Sequence, residues 1–270
     1  MKNKILFVDL DATLLSDDKT ISAANRDAIQ RMLEQGHYLA LSTGRTVESG
    51  RIVARELGLT RPGCYMIAFN GAVIYDCSAD RVLMKRSLSI ETVEEIFARA
   101  KKAGIYVHTY GNTDVITSSH TKELDYYCKD TQLSYKLSHS VLDALQEEPH
   151  KVLLIDLKSK ERLAKFQKEN LHWEKGKCSS FFSCDKYLEY CPPGVDKGYG
   201  LEQLTEILNM SPDCTVAVGD EQNDIPMLRK AKIGIAMKNG TEEVKKIADY
   251  ITEKDNNSDG IAEVIEKFIL

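Results

Sequence analysis

Short uninterrupted apolar runs alternate with segments of helical period along the first third of the chain. Lys4-Ile5-Leu6-Phe7-Val8 is apolar without a break, the pattern of a strand covered on both faces. Ser22 is placed to cap a helix to about Glu34, with Ala24, Ala28, Ile29, Met32 and Leu33 at helical spacing and Gly36 beyond its end. A strand at Tyr38–Leu41, a helix from Val47 to Leu57 and a strand at Tyr65–Phe69 follow, closed by Asn70-Gly71. The same grammar returns late in the chain. A helix over Gly200–Leu208, a strand at Thr215–Val218, a helix over Ile225–Ala231, a strand at Ile233–Met237, a helix over Thr241–Ala248 and a strand at Tyr250–Thr252 are predicted. Strands alternating with helices predict a parallel sheet wrapped by helices.

The middle reads differently. Ala72–Asp76 and Val82–Leu88 form a predicted hairpin around Cys77–Arg81, and Ile90–Ala103 is an amphipathic helix. Strand-like segments at Ile105–Tyr110, Asp114–Ser118 and Lys151–Leu157, a helix near Lys160–Lys168 and a hairpin of Phe181–Ser183 with Tyr187–Cys191 complete it. The expected fold is therefore α/β: a doubly wound, Rossmann-like parallel-sheet core (1–82 and 189–270) with an inserted α/β cap domain (83–188).

Composition narrows the field. At 270 residues the chain is long enough for one large or two modest domains. A net charge of −5 argues against a nucleic-acid groove. No apolar run approaches the roughly 18 residues of a spanning helix, so no membrane partner is expected. The basic flank Met1-Lys2-Asn3-Lys4 precedes an apolar stretch too short for a signal peptide. Seven scattered cysteines contain no C-x-x-C pair, which favours reduced thiols and a cytoplasmic location.

The candidate chemistry gathers just beyond the strands, where open α/β sheets bind ligands. The first strand delivers Asp9 and Asp11, the second Ser42-Thr43-Gly44-Arg45, the third Asn70, and the strand at 215–218 delivers Gly219-Asp220, Asn223 and Asp224. Polar loops are ordinary one at a time; four that follow fully apolar strands and converge on one edge are not. Acids gathered there repel one another unless something positive lies between them. Oxygen-only ligands select a hard cation, with Mg2+ the natural candidate, and Mg2+ usually works beside substrate phosphates.

Asp9-x-Asp11-x-Thr13, Thr43-Gly44-Arg45, Lys197 and Gly219-Asp220-Glu221-Gln222-Asn223-Asp224 resemble the four motifs of the haloacid dehalogenase-like phosphohydrolases. The insert, Asn70-Gly71-Ala72 and the tail from Lys238-Asn239-Gly240-Thr241 to Tyr250-Ile251-Thr252 resemble the Cof-type sugar-phosphate phosphatase branch. The resemblance spans the chain with its motifs in order. It implies Asp9 as nucleophile, Asp11 as general acid/base, and Thr43 and Lys197 as binders of the phosphoryl oxygens. Asp9, Asp11 (through its carbonyl), Asp220 and Asp224 would hold Mg2+, with Asp224 acting through water or by holding Lys197. Thr13 would brace the nucleophile loop, and Gly44, Arg45, Asn70 and Asn223 would face the substrate, a small phosphorylated metabolite. One departure stands out: Ala12 occupies the place of the family's usual glycine, which costs energy if its φ is positive.

Other features read blandly. His108, His120, His139 and His172 lack ligand spacing, Cys184 and Cys191 suit packing, Trp173 suits partial burial, and Lys158–Lys168 suits a solvated helix face. A phosphomutase or a non-enzymatic sugar-phosphate sensor fits the same scaffold, although the intact Asp9/Asp11 pair argues against the sensor. Both connections of the insert leave near Asn70 and Lys197, so the cap is expected to roof the cleft. Whether the protein is a monomer or a homodimer is left open by the sequence.

Overall fold

The computed structural model describes residues 3–111 and 113–270; Met1 and Lys2 of the basic flank lie outside them. The chain divides into two compact units, Met1–Met84 with Asp196–Leu270, and Lys85–Val195.

The first unit is built on an eight-stranded sheet. Its strands in chain order are β1 (Ile5–Val8), β2 (Tyr38–Ser42), β3 (Cys64–Ala68), β4 (Val73–Asp76) and β5 (Arg81–Lys85), and later β12 (Thr215–Gly219), β13 (Ile233–Ala236) and β14 (Tyr250–Ile251). The spatial order is β14-β13-β12-β1-β2-β3-β4-β5. Pairing is parallel from β14 to β3, and β4 runs antiparallel to β3. The central strand β1 is buried along its whole length, as its unbroken apolar run requires. Register aligns the strand ends: Val8 lies beside both Val218 and Leu41, and Gly219 beside Ala236. The loops that follow β1, β2 and β12 therefore open from one edge.

Side-chain caps fix where the helices begin. Ser22 accepts from the Asn25 N–H at 3.1 Å at the head of Ala23–Glu34, and Thr46 accepts from Ser49 at 3.1 Å at the head of Val47–Glu56. Asp196 caps Lys197–Ile207 through the Tyr199 N–H at 2.7 Å. That helix starts three residues before the expected Gly200, and the shift carries Lys197 into its first turn.

The second unit holds a six-stranded sheet in the order β10-β11-β9-β6-β7-β8. Its strands are β6 (Tyr106–Tyr110), β7 (Asp114–Thr117), β8 (Ser134–Leu137), β9 (Val152–Ile155), β10 (Ser179–Cys184) and β11 (Tyr187–Cys191). Helices Ile90–Ala103 and Lys160–Glu174 give it a core of its own, including Val93, Ile96, Leu154, Leu163, Leu188 and Tyr190, with Trp173 partly buried against it. Residues 189–195, assigned to the core from sequence, fall in this second unit. The reason is that β11 pairs with both β9 and β10, and the chain does not leave until Val195. Helix Lys122–Thr131, strand β8 and the short helix Val141–Ala144 were absent from the sequence reading. All four β8 residues are exposed, so no alternation marks the strand.

Of the histidines that lack ligand spacing, His108 lies inside this second unit. It is fully buried, between the Tyr106 hydroxyl at 3.3 Å and the Tyr110 hydroxyl at 3.2 Å.

Candidate active site

The acids at the sheet edge converge. Asp9 follows β1, and its N–H extends the ladder to the Val218 carbonyl at 3.1 Å. Asp220 follows β12, and Asp224 ends the short turn Gln222–Asp224. Oxygens of Asp9, Asp220 and Asp224 lie within 4.8 Å of one another, and all three residues are buried. Gly219 makes this possible: a Cβ there would stand 2.4 Å from the Asp224 side chain. Asp224 accepts from the Asp220 N–H at 2.9 Å and the Glu221 N–H at 3.1 Å, so its carboxylate ties the loop to itself. The Thr13 hydroxyl donates to Asp220 at 2.6 Å, tying the loop after β12 to the loop after β1.

Lys197 enters this cluster from the first turn of its helix, 1% exposed. Its ammonium donates to Asp9 Oδ1 at 2.6 Å and also to Asp224 Oδ1. The helix can approach because Gly71, at φ 108, has no side chain; a Cβ would lie 2.1 Å from the Asp196 carbonyl.

Charge within the cluster is unbalanced. Burial, followed by the charges of Asp224 and Asp11, pushes Asp9 up to about 7 despite the opposing pull of Lys197. Burial and the neighbouring Asp9 and Asp224 charges raise Asp220 well above the usual carboxylate range. Burial works against the Lys197 charge, but Asp224 and Asp9 outweigh it and hold the ammonium protonated. One buried cation among three carboxylates leaves an excess of negative charge that a divalent cation would remove. Every donor is a carboxylate oxygen, the set a hard cation prefers, so these residues fit Mg2+.

The Asp11 side chain stands apart from that cluster. It takes a two-point ion pair from Arg45, Nε to Oδ2 at 2.8 Å and Nη2 to Oδ1 at 2.6 Å, and a third contact from Lys19 at 2.7 Å. Burial would raise its pKa, but the hydrogen bonds and charge of Arg45, then of Lys19, bring it down to about 2. Lys19 was not singled out from sequence, and a lysine in a polar loop carries no signal that would have done so. Ala12 adopts φ 57, the left-handed conformation that favours glycine. Asn239 donates to its carbonyl at 2.7 Å, linking the C-terminal tail to the loop after β1.

Thr43 follows β2, is 1% exposed, and its hydroxyl accepts from the Arg45 N–H at 3.1 Å. Asn70 is buried at φ 53, and its carbonyl oxygen accepts from the Asn223 amide at 3.1 Å. Gly44 lies against this pair: a Cβ on it would sit 3.2 Å from the Asn70 amide.

Residues 6–265 match the sequence model of the haloacid dehalogenase-like hydrolases. The chain belongs to that family. It is 28% identical to the 5-amino-6-(5-phospho-D-ribitylamino)uracil phosphatase YitU of Bacillus subtilis, over 99% of this chain and 98% of that protein. It is 27% identical to a second Bacillus subtilis phosphatase with the same named substrate, YcsE, over 99% and 96%. A haloacid dehalogenase-like hydrolase of Bacteroides thetaiotaomicron is similar in structure, with a TM-score of 0.88 and 30% identity over 98% of this chain and 99% of that one. The chain is thus an enzyme, a phosphatase of the Cof-type branch. Among the described residues no helix is long and apolar enough to cross a membrane.

Proposed function

We propose that this phosphatase is magnesium-dependent and hydrolyses small phosphate monoesters through a phosphoaspartyl intermediate on Asp9. The observation that carries the reading is the contact of the buried Lys197 ammonium with Asp9, inside a cluster of three acids whose oxygens lie within 4.8 Å. Asp9, Asp220 and Asp224, with the Asp11 carbonyl, would hold Mg2+, which supplies charge neutralisation to the phosphoryl group.

Asp9 attacks phosphorus in line and the ester oxygen leaves. Lys197 and Thr43 hold the phosphoryl oxygens, where positioning and charge stabilisation account for most of the catalysis. Asp11 gives a proton to the leaving oxygen and then takes one from the water that hydrolyses the acyl phosphate. The ion pair with Arg45 and Lys19 keeps Asp11 ionised, the form needed for the second task. Giving a proton requires that pair to loosen, and an arriving phosphate is the anion that would compete for Arg45. Asn70 and Asn223 form the substrate side beside Gly44.

The second unit is proposed to act as a cap that excludes water and selects among metabolites. Small metabolites are favoured over polyanions by the net charge of −5 and by the named substrate of the two Bacillus relatives. The test is phosphate release from a panel of phosphorylated metabolites beside a phosphopeptide and a 5′-phosphorylated oligonucleotide. At least one metabolite should give the highest kcat/KM. A higher value on either macromolecule than on every metabolite would overturn the substrate assignment.

A further inference from the structure

Cys64 opens β3, and Cys77 follows the end of β4 directly opposite it. The antiparallel register runs Ala68↔Val73, Ile67↔Ile74, Met66↔Tyr75, Tyr65↔Asp76, and the ladder continues one step further, with the Cys77 N–H donating to the Cys64 carbonyl at 3.2 Å. Opposed residues in a sheet project to the same face. In a hydrogen-bonded antiparallel pair their Cα atoms stand about 5.5 Å apart. A disulfide spans Cα separations of roughly 4.4–6.8 Å. The Cα separation therefore suits the bond, while the Cβ atoms of such a pair stand about 5.5 Å apart against the roughly 3.5–4.5 Å of a disulfide, so closing it draws the two strand ends together by about 1 Å.

The pair also has an entry. Cys64 is 1% exposed and Cys77 6%, and Cys77 lines a small cavity of about 20 Å³ with Arg51, Ala54, Arg55 and Tyr75. That volume takes one water-sized molecule, and hydrogen peroxide is only slightly larger than water. Both thiols stay reduced in the described structure.

We propose that Cys64 and Cys77 form a reversible cross-strand disulfide when the protein meets a peroxide. The Cys77 sulfur, on the cavity side, attacks a peroxide oxygen; an S–O bond forms, the O–O bond breaks, and the departing hydroxide takes the thiol's proton and leaves as water. The resulting sulfenic acid is then attacked by the Cys64 sulfur, the S–S bond forms, and the second oxygen leaves as water. The two thiols lose two electrons and the peroxide gains them, so one peroxide and two thiols give one disulfide and two waters. Burial pushes Cys64 up to about 11 and, helped by Cys64 itself, Cys77 up to about 12. The thiolate, not the thiol, is the nucleophile, so the bond forms slowly. The ring it closes contains Phe69, Asn70 and Gly71, the turn that carries the substrate-side amide of the proposed site.

The experiment uses full-length reduced protein held with excess hydrogen peroxide, sampled over hours, denatured, alkylated and digested without reductant. A cross-linked peptide joining Cys64 to Cys77 should accumulate, with two fewer alkylated cysteines, and dithiothreitol should remove it. The Cys64→Ser protein should yield no cross-link at Cys77 with any third cysteine. Full alkylation of both residues after the longest exposure would overturn the proposal. So would pairing of either one with a different cysteine, or Cys77 oxidised to sulfinic acid while Cys64 stays free.

Discussion

The Lys197 ammonium donates to Asp9 and Asp224 at once, so one buried cation bridges the residue after β1 and the turn after β12, 188 and 27 positions away in sequence. It neutralises only part of the acidic cluster, and it is 1% exposed. Replacing it with methionine keeps most of the volume and removes the ammonium that contacts Asp9. Breaking a buried pair in this way costs about 3–5 kcal/mol. Lys197→Met should therefore lower the melting temperature sharply in metal-free buffer and abolish phosphate release. Added Mg2+ should recover part of the lost stability but none of the turnover. A melting curve that matches the parent protein in EDTA would show that the ammonium does not hold the acids together.

Metal removal gives a separate outcome. EDTA should stop phosphate release and Mg2+ should restore it. Saturating Mg2+ should also raise the melting temperature, since a ligand at a hundred times its Kd adds about 2.7 kcal/mol of stability. Asp220→Asn should lose both effects, because its carboxylate is one of the three proposed to hold the cation. Equal melting shifts with Mg2+ in the parent and the variant would place the cation elsewhere.

Ala12 at φ 57 sits between Asp11 and Thr13 in the loop that follows β1. A left-handed residue with a Cβ costs roughly 1–2 kcal/mol, which glycine avoids, although glycine also frees the unfolded chain by up to ~1 kcal/mol. Ala12→Gly should thus be neutral to mildly stabilising, by no more than about 1 kcal/mol, with activity retained. Ala12→Val adds a β-branched side chain at the same φ and should destabilise the loop and lower kcat. Denaturant midpoints and kcat for the two variants check this; a glycine variant less stable than the valine variant would contradict the backbone assignment.

His108 makes the second unit sensitive to acid. Burial first, then the Lys151 charge, drives its pKa well below 6.5, so it stays neutral in the folded protein. The unfolded chain takes up a proton below about 6.5 that the folded chain refuses. Stability is then lost as pH falls through that value, by up to about 1.4 kcal/mol per pH unit until the folded pKa is reached. Urea midpoints at pH 7.5 and 5.5 should differ more in the parent than in His108→Gln, which cannot charge. An identical pH dependence in the two proteins would assign the acid sensitivity to other groups.

Much of this was legible in the sequence, for physical reasons that differ by region. Core strands announce themselves because burial on both faces forces unbroken apolar runs, as in Ile5–Val8 and Thr215–Gly219. The acids that follow them could be located from that alone. What the one-dimensional pattern could not give was pairing: Asp11 to Arg45, Thr13 to Asp220 and Asn70 to Asn223 are contacts between loops at the sheet edge, and Asp11 to Lys19 is a contact within one loop. Strand β8 was missed because an exposed edge strand needs no apolar alternation. The C-terminal helix Gly260–Val264 and the turns after it were missed although Ile261, Val264, Ile265 and Ile269 are buried at helical spacing. The ion pair of Lys151 with Glu189, both nearly fully buried, gives no sequence signal at all, since charged residues ordinarily read as solvated.

The most direct test of the covalent mechanism is phosphate release by Asp9→Asn with the best metabolite and saturating Mg2+. Asparagine keeps the shape and a hydrogen-bonding oxygen for Lys197, so the protein should fold, yet its amide is a poor nucleophile toward phosphorus. The account predicts a folded protein, with a melting temperature at or above that of the parent in EDTA, whose phosphate release is at background. A folded Asp9→Asn protein that releases phosphate near the parent's rate would contradict it.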